Sequence, residues 1–164
     1  MQSIYFVDSN FTYESSKKSI LSIRYATDGF SFCVHDETGK LVVFVHEPYA
    51  ADSREAAVAR LKNYVVNDAI LNLRFKKVYI MPCFKEKLLV PGAFFDKANI
   101  ATLYTVNQEV APDDTILYHH IEGIEAYLVE TVISSFHDFV REHFSVVQIV
   151  NGAYPFILGA MAKA

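Results

Sequence analysis

The feature that most constrains the fold is a predicted β-hairpin at residues 21–36, which read LSIRYATDGFSFCVHD. Two segments of alternating apolar and polar residues flank the tetrapeptide Ala26-Thr27-Asp28-Gly29. Asp-Gly between such segments is a strong short-range hairpin signal. The alternation places one residue set on a common face, namely Leu21, Ile23 and Tyr25 in the first strand and Phe30, Phe32 and Val34 in the second. The hairpin therefore predicts a sheet with one buried face.

The residues after the hairpin predict a third antiparallel strand and then a long helix. The turn at residues 37–40 leads into the Val- and Phe-rich strand 41–46. Asp52 is the predicted N-cap of the helix, and Glu55 completes a capping box. Apolar residues at three- and four-residue spacing continue the helix to about Leu73, and they are Val58, Leu61, Val65 and Ala69.

The remaining chain predicts alternating strands and helices. A compact strand at 78–81 follows the long helix and is expected to run parallel to an earlier strand. The order is βββ-α-β-α with further ββ-α-β-α, which predicts an α/β fold with a mixed sheet of five or more strands. The later segments are a short apolar run at 88–90, short helices within 94–103, a loop at 107–114, strands at 115–121 and 124–129, a helix at 131–144, a strand at 146–150 and a helix at 154–162.

Composition limits the classes of function. The chain has 164 residues, of which 52% are hydrophobic and 21% charged, as expected for one globular domain. Its net charge of −4 argues against a nucleic-acid partner, which would require a basic face. Cys33 and Cys83 form no Cys-x-x-Cys pair, so they indicate neither a zinc site nor a disulfide. No signal peptide or membrane span is predicted, so we expect a cytoplasmic protein.

Three segments carry a resemblance to a known family. They are residues 21–36, residues 88–96 (LLVPGAFFD) and residues 125–151 (EAYLVETVISSFHDFVREHFSVVQIVN). With the element order, they resemble an uncharacterised bacterial family that has an actin-like ATPase (ribonuclease-H-like) fold. The chain is more distantly similar to actin-like proteins of pilus assembly and secretion platforms. The resemblance implies an N-terminal extension at 1–19 and a single actin-like lobe at 20–164, with the second lobe absent.

The resemblance also directs attention to the hairpin turn. Actin-like ATPases carry an Asp at the end of their first strand, followed by Gly and Thr, where the hairpin holds nucleotide phosphate and a hydrated metal. Here Arg24 stands at the Asp position, and Thr27, Asp28 and Gly29 fall in the turn. A cation in place of that acid reverses the local charge. The resemblance therefore implies a ligand or partner rim at these four residues, with no catalytic residue.

Other candidate sites are weaker. Adjacent residues in a strand point to opposite faces, so His119 and His120 cannot chelate one metal together. Across the predicted hairpin, His120 would meet Tyr127 or Glu125. The sequence contains no glycine-rich phosphate loop and no Gly-x-Ser-x-Gly elbow. No metal and no cofactor is therefore expected.

The C-terminal segment predicts a contact surface. The helix at 154–162 is apolar on nearly all sides and requires burial on more than one of them. We expect it to contact a second copy or another protein through Tyr154, Ile157, Leu158 and Met161. The expected function is thus that of a non-catalytic binding or scaffold protein that acts through protein–protein contacts. The alternative is an ATP- and magnesium-binding ATPase lobe that a second lobe or a partner completes.

Overall fold

The structure, a computed structural model, describes residues 2–153 apart from the side chain of Glu122. The described elements follow the predicted alternation of strands and helices, with short additions. In chain order they are β1 (Ile4–Val7), α1 (Tyr13–Ser16), β2 (Ile20–Ala26), β3 (Gly29–His35), β4 (Leu41–Pro48), α2 (Arg54–Asn67), β5 (Lys77–Pro82), β6 (Lys87–Pro91), α3 (Ile100–Asn107), β7 (Asp114–Ile121), β8 (Ala126–Ile133), α4 (Ser134–His143) and β9 (Val147–Ile149).

A six-stranded mixed sheet forms the centre of the molecule, in the order β1-β4-β3-β2-β5-β9. The strands β2, β3 and β4 form the predicted antiparallel meander. The strand β5 follows the crossover helix α2 and pairs in parallel with β2, as predicted, and β9 pairs in parallel with β5. The predicted fold class is therefore confirmed.

The edge strand β1 comes from the segment predicted as an N-terminal extension. Its four residues pair antiparallel with β4, from Ile4 opposite His46 to Val7 opposite Val43. The side chains of Ile4, Tyr5 and Phe6 are 45–65% exposed, because β1 lies at the open edge of the sheet. Part of residues 1–19 thus belongs to the central sheet, whereas the proposed division of the chain into domains stays a prediction.

The main hydrophobic core lies on the face of the sheet that the hairpin pattern predicted. Leu21, Ile23 and Tyr25 are at most 1% exposed, whereas the alternating residues Ser22 and Arg24 are half-buried on the other face. The helices α2 and α4 cover the apolar face. The residues they bury there are Ala57, Val58, Leu61 and Val65 from α2 and Phe136 and Val140 from α4.

The helix α2 begins and ends elsewhere than the sequence predicted. Its N-cap is Ser53, whose Oγ accepts a hydrogen bond of 3.1 Å from the backbone N–H of Ala56, and not Asp52. It ends at Asn67 and not near Leu73. The side chain of Asn72 folds back and donates to the carbonyl oxygens of Val65, Val66 and Asp68, and these bonds satisfy the end of a shorter helix.

The strands β6, β8 and β7 form a second, three-stranded antiparallel sheet in that order, which the sequence did not separate from the first. The prediction that a helix begins at Thr131 is wrong. Thr131, Val132 and Ile133 extend β8 and pair with β7, so α4 begins at Ser134. Three β-branched residues in succession favour this extended conformation.

One face of this second sheet packs against α3. The buried cluster there contains Val90, Val129, Ile100 and Tyr104, and the Tyr104 hydroxyl donates a hydrogen bond of 2.9 Å to the carbonyl of Glu86. Within residues 2–153, no helix has the length and apolar character that crossing a membrane requires.

Candidate functional site

A cleft of about 690 Å³ lies at the carboxyl ends of β2 and β5. In open α/β sheets, ligands bind outside the carboxyl ends of parallel strands, so this position is the first candidate for a site. The cleft walls are the β2–β3 turn, the N-terminus of α2, the loop between β5 and β6 and the loop between α3 and β7.

Three of the four residues predicted at the turn line the cleft, namely Arg24, Thr27 and Asp28. The guanidinium Nη2 of Arg24 lies 3.1 Å from Asp28 Oδ1, and the two side chains are 36% and 67% exposed. This ion pair offsets the charge of Arg24, so the turn does not offer a free cation. The role of these residues in binding stays a prediction.

The fourth residue, Gly29, fixes the turn against the sheet. It pairs with Ala26 across the hairpin, so only Thr27 and Asp28 form the loop. Its φ is +145°, and an added Cβ would lie 2.6 Å from the carbonyl oxygen of Glu47 in β4. A side chain at this position would therefore force the two strands apart.

Backbone hydrogen bonds attach the turn to the segment before α2. The carbonyl of Thr27 accepts from Ala51 N–H at 2.9 Å, and the carbonyl of Asp28 accepts from Tyr49 N–H at 3.2 Å. These carbonyls are therefore occupied, and the wall formed by the turn is held in one position relative to the start of α2.

Arg54, the first residue of α2, joins the central sheet to the second sheet. Its guanidinium forms an ion pair with Asp114 at the start of β7, and its Nη1 donates a hydrogen bond of 2.6 Å to Thr131 Oγ1 in β8. The Asp114 side chain is 2% exposed. Sequence analysis did not identify this pair, because Asp114 follows a loop-like segment and lies 60 positions from Arg54.

A second buried ion pair lies beside the cleft loop. Lys87 Nζ is 2.6 Å from Glu130 Oε2, and it also donates to the carbonyl of Pro82 at 3.2 Å. The Lys87 and Glu130 side chains are 16% and 2% exposed. Burial raises the pKa of the Glu130 carboxyl above its ordinary value, and the neighbouring ammonium only partly opposes this rise. Glu130 Oε1 has no hydrogen-bond partner among the described residues.

Cys83 lines the cleft but is poorly suited to be a nucleophile. Burial raises the pKa of its thiol, so the thiolate is a minor form at neutral pH. Burial also raises the pKa of the Cys33 thiol. Both cysteines are free thiols, in agreement with the sequence prediction.

The histidines do not assemble into a metal site in the described part of the chain, where no three metal-ligating side chains come together. His119 and His120 lie on opposite faces of β7, as expected for neighbours in a strand. His120 pairs with Tyr127 across the β7–β8 ladder, and its Nε2 lies 3.6 Å from Glu125 Oε2, as the sequence suggested.

The charges of the cleft are predominantly negative. Arg24 is paired with Asp28, and Arg54 is paired with Asp114, so the charges within each pair cancel. Among the described residues of the wall, the charges without an ion-pair partner are four exposed carboxylates and one exposed ammonium. The charged lining consists of Asp28, Asp52, Glu55, Glu86, Glu109 and Asp114 on the acidic side and Arg24, Arg54 and Lys85 on the basic side.

The second predicted surface, at Tyr154, Ile157, Leu158 and Met161, lies outside the residues that the structure describes. The described chain leads toward it through Asn151, which is fully buried, and Gly152, whose N–H donates to the carbonyl of Pro82 at 3.3 Å. The prediction of a contact helix therefore stays untested.

Known proteins resemble this chain in two ways. The model of a family described as "Protein of unknown function (DUF3822)" matches residues 8–164. The crystal structure of a Bacteroides thetaiotaomicron protein, described as having an actin-like ATPase fold and unknown function, superposes with a TM-score of 0.82 at 23% sequence identity. The similarity covers 93% of this chain and 59% of that chain. No curated protein matches.

The structural similarity confirms the predicted actin-like ATPase fold. The chain spans 59% of the length of the Bacteroides protein. The distant similarity to pilus-assembly and secretion-platform proteins stays a prediction.

Proposed function

We propose a binding function for this chain, which belongs to the DUF3822 family of proteins of unknown function. In this proposal it is a non-catalytic, cytoplasmic binding or scaffold protein. A protein partner engages the cleft at the rim formed by Arg24, Thr27, Asp28 and Gly29. The C-terminal helix predicted from the sequence offers a second contact, either to that partner or to another copy of the chain.

The observation that carries the proposal is the charge of the cleft. Where an actin-like ATPase would organise a metal with an acid, this chain has Arg24, and Asp28 already offsets that charge. The rest of the described wall repels a polyphosphate, because it carries four exposed carboxylates and one unpaired cation, Lys85; the carboxylates are those of Asp52, Glu55, Glu86 and Glu109. Several negative charges in one concave site disfavour the binding of an anionic nucleotide and favour a cationic ligand.

The size and shape of the cleft favour a protein segment over a compact ion. A volume of about 690 Å³ accommodates several side chains, and segments from four parts of the chain provide its walls. We therefore propose that the partner presents an Arg- or Lys-containing segment. Such complementarity would act chiefly on specificity and on the rate of association.

A titration with cationic peptides tests this proposal. We expect a short Arg-containing peptide to bind more weakly as the salt concentration rises, and a Glu-containing peptide of the same length not to bind. Glu86→Lys should weaken binding several-fold, whereas Glu142→Lys, an equal charge change at an exposed position of α4, should not. Fluorescence anisotropy measures both effects. Equal behaviour of the two peptides, or of the two variants, would contradict the proposal.

The second candidate function is a nucleotide-binding ATPase lobe completed by a second lobe or a partner. The actin-like fold favours it, because the cleft occupies the carboxyl ends of parallel strands. In this case magnesium and ATP would be the cofactors.

A thermal-shift assay separates the two functions. A ligand at about a hundred times its dissociation constant stabilises a protein by about 2.7 kcal/mol. For a domain of this size, that raises the melting temperature by roughly 5–10 °C. We expect no shift with millimolar Mg-ATP and no hydrolysis. A shift of that size, abolished by changing the turn residue Asp28, would favour the ATPase lobe instead.

A further inference from the structure

We propose that a small pocket between α4, β7 and β9 binds an oxyanion of the phosphate type. The pocket has a volume of about 210 Å³, and none of its described lining residues also lines the acidic cleft. It therefore gives the molecule a second candidate site of opposite character.

Three elements bring donor groups to the wall of this pocket. The strand β7 supplies His119, and its neighbours Leu117 and Tyr118 also line the pocket. The helix α4 supplies His137 and Arg141, which are four residues apart and therefore lie on the same side of the helix. The strand β9 supplies Gln148, whose amide is a further donor.

Arg141 is the group best suited to hold an anion. Its side chain is exposed and forms no ion pair with any residue in the range 2–153. A guanidinium presents five N–H donors in a planar fork that matches the oxygens of a phosphate or carboxylate. Its charge is therefore available to a ligand.

The imidazoles add hydrogen-bonding capacity that the protein itself leaves unused. His119 Nε2 has no hydrogen-bond partner in the described part of the chain, and because this atom is closed off from solvent, contact with an anion there requires a small movement of the ring. Burial, assisted by the nearby Lys87 ammonium, lowers the pKa of His119, so its ring is neutral at neutral pH. A neutral imidazole retains one N–H group, which can donate a hydrogen bond to an oxyanion. His137 is 18% exposed, and its Nδ1 lies 3.7 Å from Asp138 Oδ1.

The wall composition and the volume define the class of ligand. Among the described lining residues there is no carboxylate, whereas the cleft has six. Ligand pockets for drug-sized molecules span about 300–1,000 Å³, so this pocket accommodates a phosphate group or a small phosphorylated compound rather than a nucleoside triphosphate. The described lining residues include two imidazoles, fewer than the four ligands of a structural zinc site.

Titration with inorganic phosphate at constant ionic strength tests the proposal. We expect saturable binding by calorimetry, together with shifts of the ring signals of His119 and His137 in NMR spectra. Arg141→Gln should weaken the affinity about tenfold or more, because a charge-assisted, bidentate contact is lost. Arg141 is exposed, so this variant is expected to fold.

Arg74→Gln is the matched control. Arg74 is also exposed and lines a different pocket of about 270 Å³ with His143, again without a carboxylate among the described lining residues. This variant should bind phosphate as the unaltered protein does. The proposal is overturned if phosphate does not bind, if Arg74→Gln loses binding as much as Arg141→Gln does, or if the shifted ring signal is that of His143 alone.

Discussion

At the scale of single residues, the ion pair between Lys87 and Glu130 places two opposite charges in the interior, and folding stability depends on both being present. Both side chains are more than 80% buried, and burial raises the pKa of Glu130. A buried pair contributes little net stability, but the loss of one partner leaves an uncompensated charge. The pair is therefore a place where one substitution has a large and pH-dependent effect.

We expect Lys87→Met to lower the free energy of unfolding by about 3 kcal/mol near neutral pH. Without the ammonium, the pKa of Glu130 rises further above the unfolded value, so the folded protein takes up a proton more readily than the unfolded chain does. The neutral, protonated carboxyl loses less solvation free energy on burial than the carboxylate does. The deficit should therefore shrink as the pH falls toward about 5 and grow as the pH rises through the folded pKa. Urea unfolding across this pH range measures it.

Two variants check this interpretation. Lys85→Met removes an exposed lysine two positions away and should change stability by no more than about 0.5 kcal/mol. In the Lys87→Met background, Glu130→Gln should recover part of the lost stability, because it removes the unpaired charge. A Lys87→Met deficit that is the same at both ends of the pH range would show that the loss comes from packing alone.

At the scale of elements, the start of α2 depends on one hydroxyl. Ser53 caps the helix through Ala56 N–H, and Asp52, the residue that the capping pattern favoured, is exposed. Ser53→Ala should therefore lower the free energy of unfolding by about 1 kcal/mol, whereas Asp52→Ala should leave it nearly unchanged. Thermal unfolding of the two variants makes the comparison. A larger loss of stability for Asp52→Ala than for Ser53→Ala would indicate that Asp52, the residue predicted from sequence, is the N-cap.

The elements show which features of a fold a sequence can predict. The hairpin was predictable because alternation and Asp-Gly are local signals that the structure does not override. The boundary between β8 and α4 was not, since Val132 and Ile133 fit both the helical period and a strand. Pairing with β7, a tertiary contact, decided between them. The end of α2 was missed for a similar reason, because the side chain of Asn72 replaces helical hydrogen bonds.

At the scale of the whole molecule, the cleft depends on contacts between distant parts of the chain. The sequence drew attention to Arg24, Thr27 and Asp28, but the opposite walls come from residues 52–55, 83–86 and 109–114. No local pattern connects these loops. They meet because β5 lies beside β2, and because Arg54 joins α2 to the second sheet. The excess of carboxylates in the cleft therefore emerges only from the assembled fold.

The predicted C-terminal contact surface also belongs to this scale. If residues Tyr154, Ile157, Leu158 and Met161 mediate self-association, Leu158→Asp should reduce the molar mass measured by light scattering, because a buried charge disrupts an apolar contact. Lys163→Asp, a charge change outside the proposed contact residues, serves as the control. An unaltered protein that is monomeric, with a Leu158→Asp variant of identical behaviour, would count against this surface in self-association.

The position of β2 in the sheet has a consequence for the order in which the chain assembles. Its partner β3 follows after a two-residue turn, whereas its other partner, β5, becomes available only after the whole of α2 has been made. Closing a short loop is faster and loses less entropy than closing a long one. During synthesis on the ribosome, the meander can therefore form first, and the acidic cleft, whose walls include residues 83–86 and 109–114, becomes a late product of folding.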